Sequence, residues 1–456
     1  MNRIAGRAFV VILVVLLLAG GMGFFVAEFA TEAGDWVVFS GSPHVYNSGK
    51  VGNGYVTDRD GTPLADMSGD RVFTSDETLR KAMLHWLGDR EGNISTPALT
   101  QYTTEMTGFD LLNGVYTYGD TGYVLELTLS AEVQETALEA LGGYNGTVAV
   151  YNYETGELLC AVSNPTYDPD DVPEFTDDNA EDYDGVYVNR FTQSTYIPGS
   201  IFKIITVAAA LETIPDIEER TFTCYGSYEY GADAVTCEGV HYDQNIREAL
   251  ANSCNCAFAQ IVEQVGEDTL TRYVEQFRIT APVSFDGIIT AGGNFDLTGA
   301  EPVEIAWSGI GQYTDQINPC RFLTFMGAIA SGGQGVEPYV VSKISVGNDT
   351  TYTAQAVDTD RIMTSATAEK LREYLRNNVE TVYGSYNFPD MTVCAKSGTG
   401  EVGDGKRPNA TFAGFVADPE YPLAFIVVVE DAGYGSTICV PIISRVLEVC
   451  KEVMDN

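Results

Sequence analysis

A multi-domain α/β fold, with one mostly antiparallel central sheet flanked by helices, is what this sequence predicts. Three observations predict it. Alternating apolar strands occur at both ends of the region after residue 122, so the two ends can pair in one sheet. Apolar helical stretches fill the interval between them. The chain has 456 residues, 45 % of them hydrophobic, which suits about two to four domains with a large core and excludes disordered and collagen-like classes.

Ala8 to Ala27 is a 20-residue run without charge, long enough for about 30 Å of helix, one bilayer core. Arg3 and Arg7 precede it, and Glu28, Glu32 and Asp35 come after it, so the positive-inside rule places the N-terminus in the cytoplasm and the rest outside. A cleaved signal peptide is the rival reading. The run is long for one, and Phe25 and Glu28 spoil the small-x-small cleavage pattern. Residues 1–30 are therefore expected to be a cytoplasmic tip and membrane anchor. Residues 31–121 are mixed in texture, with one helix over 76–87, and read as a small non-catalytic pedestal module. Residues 122–456 read as the catalytic domain.

Within that domain, Tyr123 to Leu129 alternates as a strand, and Ser130 is placed to cap a helix over 131–141. Strands 146–151 and 157–162, joined by a turn at Asn152 to Gly156, read as a hairpin. Asp168 to Asp184 carries nine acids in seventeen residues. It reads as a solvated loop, because no spacing resembles a calcium-binding loop. Helices are expected over 200–212, over 246–265 with a break near Ser253, and over 318–331. Strands 392–395, 410–417 and 423–430 and a final helix over 440–454 complete the pattern.

Charge narrows the function. Lys and Arg total 25 against 64 Asp and Glu, a formal net charge of −39. Nothing supplies the basic face needed to displace counterions from nucleic acid. Only His44, His85 and His241 are available for histidine chemistry.

Three short motifs carry reactive groups. Pro198 and Gly199 break the chain just before an apolar helix, which puts Ser200 at a helix start, where free N–H groups favour negative charge. Lys203 lies three residues on, on the same face. Packed among Ile201, Phe202, Ile204 and Ile205, it should be desolvated and able to act as a neutral base. A capping serine beside a surface lysine would give the same pattern. Lys396, Ser397, Gly398 and Thr399 stand at a strand end, where a lysine, two hydroxyls and a glycine make an edge suited to a carboxylate. A polar strand end with a turn glycine is the plainer reading. For a serine–x–asparagine element two matches compete. Ser253 and Asn255 fall at a helix junction that can face a cleft, whereas Ser385 and Asn387 lie in a loop-like stretch. Ser253 is the better fit.

Serine-x-x-lysine, serine-x-asparagine and lysine-serine-glycine in this order resemble the active-site set of penicillin-binding proteins and serine β-lactamases. The resemblance extends over Val124–Leu129, Gly146–Gly156, Ser163–Pro169, Asn189–Arg190, Gly309–Gln312, Ala328–Gly333 and Asn409–Phe415. Gly54 to Ala65 is similar to the first characteristic stretch of class B penicillin-binding proteins of the short type. That resemblance implies the penicillin-binding transpeptidase fold. It also implies the activity, which would be serine-type D-Ala-D-Ala transpeptidation in peptidoglycan biosynthesis. By the same resemblance, Ser200 would be the acylated nucleophile and Lys203 its base. Ser253, helped by Lys396, would relay a proton to the leaving amine. Asn255 would hold the donor's side-chain amide, and Ser397, Gly398 and Thr399 would form the edge that binds its terminal carboxylate. The N–H groups of Ser200 and Thr399 would make the oxyanion hole. No metal or organic cofactor is needed. The partners would be peptidoglycan stem peptides, β-lactam antibiotics and a polytopic membrane glycosyltransferase, since residues 31–121 leave no room for such a domain. Ser397 in place of threonine, Thr411 in place of an aromatic and Cys320-Arg321 at a helix start depart from the family pattern without removing a catalytic group. A D,D-carboxypeptidase or β-lactamase shares the motifs. A non-enzymatic β-lactam sensor or division scaffold is the third possibility, disfavoured by the intact motifs.

The nine cysteines leave at least one free thiol. Cys224 and Cys237 bracket a small loop and could form a disulfide. Cys224, Cys237, His241, Cys254 and Cys256 could in principle hold zinc. The tight spacing of the last two, and the place of Cys254 inside a motif, favour buried apolar fillers instead.

Overall fold

The computed structural model describes residues 2–37, 46–47, 50–51, 54–67, 71–106, 108–110, 114–116, 122–403 and 405–455. Helix α1 (Asn2–Val37) contains, within Ile4–Ala33, an 18-residue window of mean hydropathy 2.9, so the stretch is long and apolar enough to cross a membrane. After it come β1 (Gly54–Thr57), β2 (Pro63–Asp66), β3 (Val72–Phe73) and α2 (Glu77–Leu87). Asp76 caps α2 by accepting from the N–H groups of Thr78 and Leu79. Next are β4 (Tyr123–Leu127), α3 (Ala131–Leu141), β5 (Gly146–Asn152) and β6 (Leu158–Asn164). Then α4 (Lys203–Thr213), α5 (Ile246–Ala251), α6 (Asn255–Val265) and α7 (Pro319–Ala330) form the helical middle. The chain closes with β7 (Val341–Val346), β8 (Asp349–Thr353), α8 (Ser365–Asn378), β9 (Val393–Gly400), β10 (Asn409–Val416), β11 (Leu423–Val429) and α9 (Gly435–Asp455).

The central sheet has the order β6-β5-β11-β10-β9 and is antiparallel throughout. Its two chain ends do pair, through β5 and β11. Both faces are covered, which is why its inner strands are apolar almost without interruption. Along β5 and β11, Ala149, Tyr151, Ile426 and Val428 pack into the core that holds α4 and α7, whereas Val148, Val150, Phe425 and Val427 pack under α3 and α9. β6 and β9 are its two edges.

A second sheet, ordered β8-β7-β4-β1-β2-β3, crosses the line drawn from composition at residue 121. β1 runs parallel to β4 in the register Gly54↔Tyr123 to Thr57↔Glu126. Asp58 deepens the connection. Its Oδ1 accepts from the N–H groups of Asp60 and Thr62, and its Oδ2 accepts from the Ala131 N–H at 3.1 Å. Ser130 occupies the cap position of α3 without a side-chain bond, so the cap expected from Ser130 comes from Asp58. α2 adds a Trp86 Nε1–H bond to the Ala161 carbonyl at 2.6 Å. The acidic stretch is partly tied down rather than solvated throughout: Arg80 holds Asp168 with two bonds of 2.7 and 2.6 Å, and Arg90 pairs with Asp170 at 2.6 Å.

Candidate active site

The Ser200 segment begins with Gly199 at φ +57°, a conformation that favours glycine. A Cβ there would run into the Thr399 carbonyl oxygen, so the turn lies flush on β9. Residues Gly199–Phe202 form a 3-10 turn that runs into α4 at Lys203, where an α-helical start was expected at Ser200. The tighter winding brings positions i and i+3 into line. Lys203 Nζ lies 3.0 Å from Ser200 Oγ. The surface-lysine alternative fails, because Lys203 is wholly buried.

Ser253 sits in the predicted break, between α5 and α6, at φ +52°. Lys203 Nζ donates to the Ser253 carbonyl at 2.7 Å and to Asn255 Oδ1 at 2.7 Å, and lies 3.3 Å from Ser253 Oγ. Lys396 Nζ approaches the same Oγ at 3.1 Å and donates to the Ser397 carbonyl at 2.8 Å. The lysine–serine–glycine segment does not end a strand as expected; β9 continues through it to Gly400. Lys396 and Gly398 thus face the Gly199–Phe202 turn, and Ser397 and Thr399 face the opposite way along the pleat. Ser200, Ser253, Asn255, Ser397, Gly398 and Thr399 all border one cleft of about 880 Å³. The competing Ser385 and Asn387 fall in a separate exposed 3-10 turn.

Burial sets the electrostatics. It lowers Lys203 to about 8; the nearby Cys237, Cys254 and Glu238 oppose the shift. Lys396 is pushed well below its ordinary value by burial and then by the charge of Lys203. Two desolvated amines sharing one hydroxyl disfavour double protonation, and Lys203 beside Ser200 loses its proton near pH 8. The Phe258 ring lies 5.2 Å from Lys203 Nζ and helps exclude water.

Sequence reasoning missed Tyr383. Its hydroxyl accepts from the Ser397 N–H at 2.8 Å and shares a hydrogen bond with Ser397 Oγ at 2.9 Å. It ends a π-helical turn with no periodic signal. Gln312 Nε2 donates to the Thr399 carbonyl at 3.0 Å, and Thr411 Oγ1 donates to the Pro198 carbonyl at 3.0 Å, so the departure at Thr411 adds a tie between β10 and the Gly199–Phe202 turn. The departure at Arg321 is also accommodated: its guanidinium donates to the Ala281 and Pro282 carbonyls. All nine cysteines are free, so Cys224 and Cys237 are not bridged.

Comparisons agree with this architecture. The penicillin binding protein transpeptidase domain matches residues 146–448, about two thirds of the chain, and the chain belongs to that family. Stage V sporulation protein D of Bacillus subtilis is 29 % identical over 362 residues, 73 % of this chain and 54 % of that protein. The chain therefore spans about half the length of that relative. Peptidoglycan D,D-transpeptidase PbpA of Mycobacterium tuberculosis is 26 % identical over 360 residues, 72 % of each chain. Among solved structures, the ceftriaxone acyl-enzyme of M. tuberculosis penicillin-binding protein A superposes with a TM-score of 0.73 at 22 % identity, covering 87 % of this chain and 97 % of that one. The D,D-transpeptidase domain of a peptidoglycan glycosyltransferase from Eggerthella lenta gives 0.74 at 24 % identity, covering 88 % and 98 %. These likenesses establish the penicillin-binding transpeptidase fold.

Proposed function

We propose that this protein is a membrane-anchored peptidoglycan D,D-transpeptidase that cross-links stem peptides through an acyl-enzyme on Ser200 and is acylated by β-lactams. The observation that carries the reading is the position of Lys203 Nζ, 3.0 Å from Ser200 Oγ and desolvated. The neutral amine takes the Ser200 proton as Oγ attacks the penultimate D-Ala carbonyl. The tetrahedral oxyanion is held by the N–H groups of Ser200 and Thr399, and losing one such donor costs about 2.7–4 kcal/mol of barrier. The C–N bond breaks as Ser253, backed by Lys396, passes a proton to the departing D-Ala. Ser253 recovers its proton from Lys203; an acceptor amine then attacks the ester and gives its proton to the neutral Lys203, which returns it to Ser200 Oγ as the acyl–oxygen bond breaks. Asn255 positions the donor peptide along the edge strand β9, with Ser397 and Thr399 at its terminal carboxylate.

Residues 1–30 serve as the anchor, with the N-terminus in the cytoplasm, and residues 31–121 as the stem that docks a polytopic membrane glycosyltransferase. The test is labelling with fluorescent penicillin, then the rate of adduct loss with and without an amine acceptor on a D-Ala-D-Ala-type thioester. A long-lived adduct discharged by amine supports transpeptidation. Turnover of penicillin at about 1 s⁻¹ or faster makes the protein a hydrolase instead.

A further inference from the structure

Beside the cleft, residues 222–244 form a small ribbon of two paired strands nested inside two more. Phe222–Cys224 pairs with Tyr242–Gln244, and Ser227–Tyr230 pairs with Asp233–Thr236. Two-stranded ribbons are marginal in water, and this one buries few of its side chains. It is tied to α6 by bonds such as Gln260 Nε2 to the Thr223 carbonyl at 2.9 Å, and a group of ligating side chains meets at the same junction.

Four side chains meet at that junction. Cys224 ends the first strand, Cys237 follows the third, His241 precedes the fourth, and Cys254 caps α6. Their ligating atoms all lie within 4.8 Å of one another, the one such group among the described residues. Cys237 Sγ is 3.5 Å from His241 Nδ1 and 3.9 Å from Cys254 Sγ. A tetrahedral zinc with bonds of about 2.3 Å to sulfur and about 2.0–2.1 Å to nitrogen has edges of about 3.8 Å between sulfurs and about 3.6 Å from sulfur to nitrogen. These two spacings match those edges. A disulfide would require about 2.05 Å.

The surroundings suit anionic sulfur. The Ala257 N–H donates to Cys254 Sγ at 3.4 Å from the first turn of α6, whose dipole favours negative charge there. Cys224 and Cys254 are buried, and Cys237 and His241 are half-buried along the cleft, which gives an ion a way in. Cys256 is turned toward the Val235 carbonyl, 3.8 Å from its sulfur.

We propose that Cys224, Cys237, His241 and Cys254 bind one Zn²⁺ in a closed, structural Cys3His site that fastens the 222–244 ribbon to the start of α6. Four protein ligands leave no open position, so the ion supplies folding energy and no reactive water. Its ligand Cys254 lies between Ser253 and Asn255, and Asn255 Nδ2 also donates to the Thr236 carbonyl at 3.0 Å. The metal thereby fixes the corner that presents both polar side chains to Lys203. Binding displaces the thiol protons, so affinity rises with pH.

The test measures metal, not acylation, and so stands apart from the function proposed above. Full-length protein is purified in detergent under reducing conditions from zinc-replete cells. Elemental analysis is expected to give about one zinc per chain. After chelation, Co²⁺ should develop thiolate charge-transfer and tetrahedral visible bands that saturate at one equivalent. Chelation should raise hydrogen exchange at 222–256, and zinc should reverse it. The double variant Cys224→Ser/His241→Gln should retain at least about tenfold less zinc. Where that variant fails to fold, the cobalt titration of the unaltered protein decides. Substoichiometric zinc without cobalt bands, zinc retained by the folded variant, or a Cys237–Cys254 disulfide in the isolated protein would each overturn the assignment.

Discussion

Lys203 and Lys396, 193 positions apart in sequence, converge on one oxygen: their Nζ atoms lie 3.3 and 3.1 Å from Ser253 Oγ. Both are fully buried, so the site holds fewer protons than two exposed lysines would. Its chemistry should depend on pH above neutrality.

Penicillin acylation is expected to accelerate with pH and level off above about 8, where Lys203 becomes neutral. The same shift acts on stability. The unfolded chain keeps this lysine protonated toward 10.5, whereas the folded chain releases the proton near 8. In that window the unfolded state binds more protons, so this group's contribution makes the protein more stable as pH rises from about 8 to 10.5. Stopped-flow acylation and urea unfolding across the window check both. An acylation rate flat with pH would exclude Lys203 as the base.

Ser200→Ala should abolish covalent labelling, and Ser385→Ala should leave it intact. Intact-mass measurement and peptide mapping after penicillin treatment locate the adduct. An adduct on any peptide lacking Ser200 contradicts the assigned nucleophile.

Gly398→Ala should damage the site sterically. Its Cβ would collide with Thr411 Oγ1 and fall 2.6 Å from the Pro198 carbonyl oxygen. Overpacking of this kind costs about 1–3 kcal/mol, and a displacement near 1 Å can slow acylation about 100-fold. Unfolding curves and acylation rates on one sample separate the two effects.

Tyr383→Phe removes the acceptor for the Ser397 N–H. The expected loss is about 1–3 kcal/mol of stability. Weaker capture of carboxylate-bearing substrate should accompany it, with less effect on acylation at saturation. Concentration-dependent acylation kinetics resolve the two parameters.

A chain beginning at Gly122 should fail to fold stably, because it lacks three of the six strands in the second sheet and the Asp58 cap on α3. Circular dichroism and size-exclusion chromatography check this. A monodisperse, acylating fragment would restore the independent pedestal read from composition.

The reach of the sequence follows the range of the interactions. The hairpin of β5 and β6, the helix read over 76–87 and the break at Ser253 are local, and each is legible in a few residues. Ser200 and Lys203 were readable because one turn joins them. β9 was read short because glycine and serine weaken strand propensity at 396–400, whereas pairing to β10 sustains it. The β1–β4 pairing joins positions about 70 residues apart, which no local alternation encodes. Cys254 and Cys256 looked too close together for one metal site. The helix start between them resolves that, leaving Cys254 on the cap and turning Cys256 into the packed face of α6.

The parallel register of β1 on β4 also determines how the molecule carries force. Tension from a membrane helix enters at Gly54, the N-terminal end of β1, and leaves through the C-terminal end of β4. Load in that direction shears the pair, so its hydrogen bonds resist together instead of peeling one by one. Under such load β1 and β4 move together as one unit, and the four paired positions share the force.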